Sequence, residues 1–185
     1  MVYFFNNLDI GILYFIRDSF SNPFMDKLMV FITSLGDKGF IWIAIGIILL
    51  IQKKYRKVGF ILLLALLINA IIGEGIIKNI VQRPRAFITY PNINIIINPP
   101  TSFSFPSGHT ASSFAAAVVI GYYIKEWKYI SYSLATLIAF SRLYLFVHYP
   151  SDIIGGILLG IISALLTIRI AKSINIKKIK KYKKF

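Results

Sequence analysis

The sequence predicts an all-α fold, a polytopic membrane bundle of about six transmembrane helices preceded by an interfacial amphipathic helix. Three observations carry this expectation. Of 185 residues, 57% are hydrophobic and only 15% are charged, far more apolar than a soluble domain needs. Apolar runs close to the thickness of a bilayer recur along the chain. The basic residues gather mostly between those runs. With no internal repeat or boundary, one domain covers residues 1–185, with a motif-bearing core at 78–152 and a basic tail at 172–185.

Taken in order, Leu8 to Phe20 places Leu8, Ile12, Phe15 and Ile16 along one helical face, with Asp9 and Asp18 elsewhere, as an interfacial helix would. No basic start or small-residue cleavage site precedes it, so no cleavable leader is expected. Asn22-Pro23 ends this helix. Phe24–Leu35 carries Asp26 and Lys27 and is expected to cross by extending a neighbouring interfacial stretch or by thinning the bilayer locally. Phe40–Ile51 is short but uniformly apolar. Val58–Ile77 and Ile153–Ile170 are full-length spans, and Thr110–Ile124 and Tyr129–Val147 come close.

The net charge of +14 fits orientation and anionic headgroups better than nucleic acid. Lys53, Lys54, Arg56 and Lys57, then Lys125 and Lys128, then the lysine-rich tail all read as cytoplasmic, the tail lying against anionic lipid headgroups. The expected site is thus a multi-pass protein of the cell membrane with a cytoplasmic C-terminus. Counting spans outward puts Lys78, Arg83, Arg85, His109, Arg142, His148 and Asp152 on the extracytoplasmic side, where cations are otherwise scarce. Anion binding explains such a cluster. The absence of cysteine excludes disulfides and thiolate metal sites.

Three segments carry chemistry. In Phe105-Pro106-Ser107-Gly108-His109, which precedes an apolar helix, Pro106 suits the first helical position and the free N–H groups face whatever sits above. Ser107 adds a hydroxyl, Gly108 permits close approach and His109 supplies a proton donor, although a plain Ser-capped helix start reads equally well for this segment alone. In the run from Ser141 to Asp152, Pro150 breaks the chain, so His148 precedes a new helix and Asp152 falls in its first turn. Asp152 can then accept from one imidazole nitrogen and leave the other nucleophilic. Lys78, Arg83 and Arg85 offer an ammonium and planar forks to phosphoryl oxygens, or act as snorkelling anchors. Glu74, one turn before Lys78, reads as its counter-ion or as a group that tunes it.

Together these segments resemble the signature of the type 2 phosphatidic acid phosphatase superfamily: lysine, six residues, Arg-Pro; then Pro-Ser-Gly-His; then Ser-Arg, five residues, His, three residues, Asp. The second and third parts match at every specified position, and in the first Lys78 is spaced correctly from Arg85. Ala86 replaces the family proline there, and Arg83-Pro84 offers the pair two residues early. The resemblance implies that His148 forms a phosphohistidine, that Asp152 supports it, and that His109 protonates the leaving oxygen. It places Lys78, Arg85, Ser107, Gly108 and Arg142, with Arg83 as the second arginine, around the phosphoryl oxygens.

The resemblance implies no cofactor and no metal, and the few acids near the motifs agree with that. Its substrates are membrane lipids bearing a phosphate or diphosphate, undecaprenyl diphosphate ranking first and phosphatidylglycerophosphate or phosphatidic acid next. A lipid-to-lipid phosphotransferase is a further enzyme reading. A membrane assembly or transport protein on the same helices is the non-enzyme reading, and it predicts loss of catalytic residues that are all present here.

Overall fold

The computed structural model describes the backbone of residues 2–182 and the side chains of 7–173. The basic tail expected to meet lipid headgroups falls, beyond Ser173, outside the described side chains. The described residues are helical with irregular connections. α1 (Val2–Phe20) leads into α2 (Pro23–Leu35), whose start is capped by Asn22, its side-chain oxygen accepting from the N–H groups of Phe24 and Met25 at 3.1 and 3.0 Å. Pro23 at the first position needs no N–H partner.

α1 packs one face on the bundle and leaves most of its expected apolar face open. Leu8, Ile12 and Phe15 remain exposed, whereas Asp9, Leu13 and Ile16 are buried against the protein. In an apolar surrounding the hydrocarbon side needs no cover, and the carboxylate turns inward to its partners.

α3 (Phe40–Ile51) follows after a 3₁₀ turn, Asp37–Gly39, in which Lys38 and Gly39 take left-handed φ values of 50° and 74°. These stop α2 without reversing the chain: the two helices meet at a bend of 42°. Side-chain partners tie this stretch to α8 and then α7: Asp26 with Tyr144, Thr33 with Arg142, Asp37 with His109, then Trp42 with Ser113. By length and composition Phe24–Leu35 and Phe40–Ile51 pass as a span only when taken together, as a broken span or a re-entrant segment. Among the described residues, Arg56–Thr89 and Pro150–Ser173 are long and apolar enough to cross a membrane by themselves.

α4 (Arg56–Ala70) turns back along α3, and Gly59 permits it: a Cβ there would lie 2.4 Å from the Leu50 nitrogen and 2.6 Å from the Gly46 oxygen. The helix runs on through a π-helical turn, Ile71–Ile77, into α5 (Lys78–Val81). Gln82 at φ 49° ends it, and Pro84 prevents resumption. After short α6 (Ala86–Thr89) and an irregular stretch, α7 (Gly108–Tyr123) enters the centre of the bundle, with Ala115, Ala116, Ala117 and Val119 fully buried.

α8 (Lys128–Tyr144) returns beside α7, and Phe146 at φ 59° turns the chain into α9 (Pro150–Tyr182). α7 and α9 make the most intimate pair. Added Cβ atoms at Gly156 and Gly160 would meet the Ser107 and Ala111 carbonyl oxygens at 2.8 and 2.4 Å. Small residues four apart, continuing to buried Ala164, let two backbones touch where dispersion rather than water drives packing. That contact sets the two motif-bearing helix starts, Gly108 and Pro150, side by side.

Candidate active site

His148 is held in the turn between α8 and α9, 1% exposed. Its Nδ1 lies 3.3 Å from Asp152 Oδ2, one helical turn ahead, as the spacing of the two residues predicts. Its Nε2 lies 3.1 Å from Arg85 Nη1. A guanidinium can only donate and a carboxylate can only accept, so the proton sits on Nδ1 and Nε2 presents its lone pair. Burial, with Arg85 and Arg142 nearby, pushes the imidazole down to about 3 from an ordinary 6.5, which keeps it neutral.

Asp152 is fully buried and completely engaged. Oδ2 also accepts from the Tyr149 N–H at 2.9 Å and from the Ser104 hydroxyl, and Oδ1 accepts from Arg83 at 2.7 Å. Arg83 reaches back to Asp9 Oδ2 at 2.8 Å, donates to Ser151, and stacks 3.9 Å over the Tyr149 ring. Asp9 in turn accepts from the Ser151 N–H at 3.0 Å. Arg83 thus stands behind the carboxylate.

Arg85 differs. It donates to the Ser102 and Val147 carbonyls at 2.7 and 3.0 Å and lines a cavity of about 1210 Å³. Lys78, Gly108, His109, Arg142 and His148 line the same cavity. Lys78 is bound by Glu74 at 2.7 Å and by Ser102 at 3.2 Å, so the counter-ion reading of Glu74 holds geometrically. Arg142 touches Thr33, and its buried Nε has no partner among the described residues. His109 Nε2 lies 2.9 Å from Asp37 Oδ1.

Two sequence expectations change here. Pro106 precedes the helix and does not start it, because Ser107 is the N-cap of α7. The Ser107 hydroxyl accepts from the Thr110 hydroxyl at 3.0 Å, and its N–H donates to the Asp152 carbonyl at 3.1 Å. It is fully buried and lies off the cavity wall, together with Arg83 and Asp152. Sequence reasoning passed over Asp9, Asp37, Lys38, Ser102 and Ser104. Only the charges of Asp9, Asp37 and Lys38 near apolar runs could have flagged them; serines in a loop carry no such signal.

The cavity continues from this polar end into an apolar crevice lined by Val30, Ile43, Leu63, Leu66 and Leu67. Among the described residues no group of three metal-ligating side chains occurs. Compared with known proteins, residues 57–175 match the model of the PAP2 superfamily.

The chain belongs to the PAP2 superfamily.

This PAP2 chain is 34% identical over 157 residues to an undecaprenyl-diphosphatase of Sulfolobus acidocaldarius, covering 84% of the chain and 75% of the relative. It is 31% identical over 153 residues to phosphatidylglycerophosphatase B of Bacillus subtilis, covering 76% and 72%. The crystal structure of Aquifex aeolicus LpxE superposes with a TM-score of 0.77 at 29% identity, covering 88% of this chain and 95% of that one. The resemblance read from the three motifs is thereby established, and the PAP2 chain is a lipid phosphatase.

Proposed function

We propose that this single membrane domain releases phosphate from a lipid-linked diphosphate at the extracytoplasmic face of the cell membrane, with undecaprenyl diphosphate as the leading substrate. The observation that carries the reading is the neutral His148, whose unprotonated Nε2 faces a cation-lined cavity that continues into an apolar crevice. The polar end accommodates a phosphoryl group and the crevice accommodates a prenyl tail. The name of the Sulfolobus relative supports the diphosphate.

Nε2 attacks phosphorus, the bond to the leaving oxygen breaks, and His109 gives that oxygen a proton. Asp152 holds the imidazolium that results. Water then attacks the phosphohistidine, losing its proton to His109, and inorganic phosphate departs with His148 restored. Lys78, Arg85 and Arg142 meet the phosphoryl oxygens as negative charge redistributes, with the N–H groups of the Gly108 turn beside them. Ser107 acts by fixing that turn, and Arg83 by fixing Asp152.

Sidedness follows from charge. The connections Gln52–Tyr55 and Lys125–Trp127 sit at the opposite end of the bundle from His148 and carry the basic residues typical of cytoplasmic loops. The decisive experiment supplies the purified protein in detergent with undecaprenyl diphosphate, phosphatidylglycerophosphate and phosphatidic acid. Phosphate release fastest from the diphosphate, unaffected by chelators and abolished in His148→Ala, is expected. Transfer of label to a second lipid without free phosphate would replace hydrolysis by phosphotransfer.

A further inference from the structure

Glu74 occupies an unusual place for the only acid deep in an apolar run. Both carboxylate oxygens lie against Lys78 Nζ, at 2.7 and 2.8 Å, while half of the side chain remains open to the cavity. A Cβ added to Gly108 would lie 2.3 Å from Glu74 Oε1 and 3.9 Å from Lys78 Nζ. The carboxylate therefore rests on the first residue of α7, at the positive end of a 16-residue helix. The π-helical turn puts it there: its extra residue re-aims Glu74 toward α7, and Gly73 beside it leaves room for Leu159.

An ammonium, a helix N-terminus and close backbone approach are also what a phosphoryl group requires. Lys78, Arg85 and Arg142 without an anion would leave three buried or nearly buried cations facing one another. Two anions cannot share one seat at these separations without strong repulsion.

We propose that Glu74 is a resident anion that fills the phosphate seat of the empty enzyme and is displaced by the incoming phosphoryl group. The proposal rests on the phosphatase reading of the cavity. Its consequence is asymmetric: a lipid substrate brings tail contacts that offset the displacement, whereas inorganic phosphate brings none and leaves readily. Glu74 is a positioning and specificity residue, not a catalytic one.

The two roles open to Glu74 predict opposite signs. If it merely orients Lys78, its neutral variant binds phosphate more weakly; if it holds the seat, the variant binds more tightly. Inorganic phosphate is titrated calorimetrically into the full-length protein in detergent, wild type against Glu74→Gln. A fall in Kd of about tenfold, the effect of removing one adjacent charge, is expected, with kcat and KM for the lipid falling together as product release slows. An unchanged or raised Kd overturns the proposal. Should Glu74→Gln not elute as a folded species, Glu74→Asp, which draws the carboxylate back from Gly108, tests the same sign by a smaller gain. A wild-type protein that binds phosphate but hydrolyses no lipid phosphate would overturn the phosphatase reading, while the titration still decides the place of Glu74.

Discussion

Arg83 donates to Asp152 Oδ1 at 2.7 Å and holds Asp9 Oδ2 at 2.8 Å with its other terminal nitrogen. Asp152, the carboxylate beside His148, is thereby tied to the N-terminal helix. Removing the guanidinium leaves a fully buried carboxylate short of a partner, an effect on the order of 3 kcal/mol. Arg83→Ala is expected to lower kcat by roughly 100-fold with little change in KM, because the misplaced group is not in contact with substrate. Asp9→Asn is expected to reproduce the direction with a smaller loss. Steady-state kinetics on a lipid diphosphate check both, and a change confined to KM would count against the relay.

His148 is the proposed nucleophile. His148→Ala is expected to abolish turnover in a protein that still elutes as folded, and Asp152→Asn to reduce kcat by about 10⁴-fold through the wrong tautomer. Brief reaction with a substrate labelled in its phosphoryl group, followed by alkaline denaturation, is expected to leave acid-labile label on the wild type and none on His148→Ala.

His109 is expected to matter in proportion to the leaving group. His109→Gln should slow lipid phosphate hydrolysis by roughly 10² to 10⁴. An activated aryl phosphate, whose leaving group needs no proton, should lose far less in its phosphorylation step. Equal losses for both substrates would show that His109 acts by position alone.

Stability should fall on acidification. The buried His148 has its imidazole driven from 6.5 to about 3, so between those values the unfolded chain takes up a proton that the folded chain refuses. Folding stability is therefore full above about 6.5 and declines below it, with a slope approaching about 1.4 kcal/mol per pH unit. Denaturation midpoints in detergent from neutral pH to about pH 5 should show this decline, and His148→Gln should flatten it.

Packing between α7 and α9 admits a structural test. At Gly160 a Cβ would sit 2.4 Å from the Ala111 carbonyl oxygen, and backbone cannot yield as a side chain does. Gly160→Ala is expected to destabilise by about 1–3 kcal/mol and Gly160→Leu to prevent correct folding, read by thermal denaturation. Gly75, where an added Cβ meets nothing, should accept alanine without a steric penalty.

Much of this was legible in the order of residues. Helices over Thr110–Ile124 and Tyr129–Val147 agree closely with α7 and α8, and Ile153–Ile170 falls inside the longer α9, since long apolar runs have few other ways to satisfy their backbone. The pairing of His148 with Asp152 was equally legible, because Pro150 starts a helix just after His148 and sets Asp152 in its first turn, within reach of the ring. The helix count was less so: Lys38 and Gly39 interrupt α2 and α3 without reversing them, and a break in hydropathy looks the same whether the chain bends by 42° or doubles back.

Local spacing determined the chemistry this protein carries: two histidines, an acid and a set of cations at helix ends, in an apolar chain. The tertiary structure decided which of those groups face the cavity. Arg83 and Arg85 stand two residues apart and are chemically identical, yet Gln82 and Pro84 turn one behind Asp152 and the other into the cavity beside His148. Asp9, Asp37, Ser102 and Ser104 join the site from distant segments, since a buried charge takes its partners from whatever the packing brings near, and no local pattern records that choice.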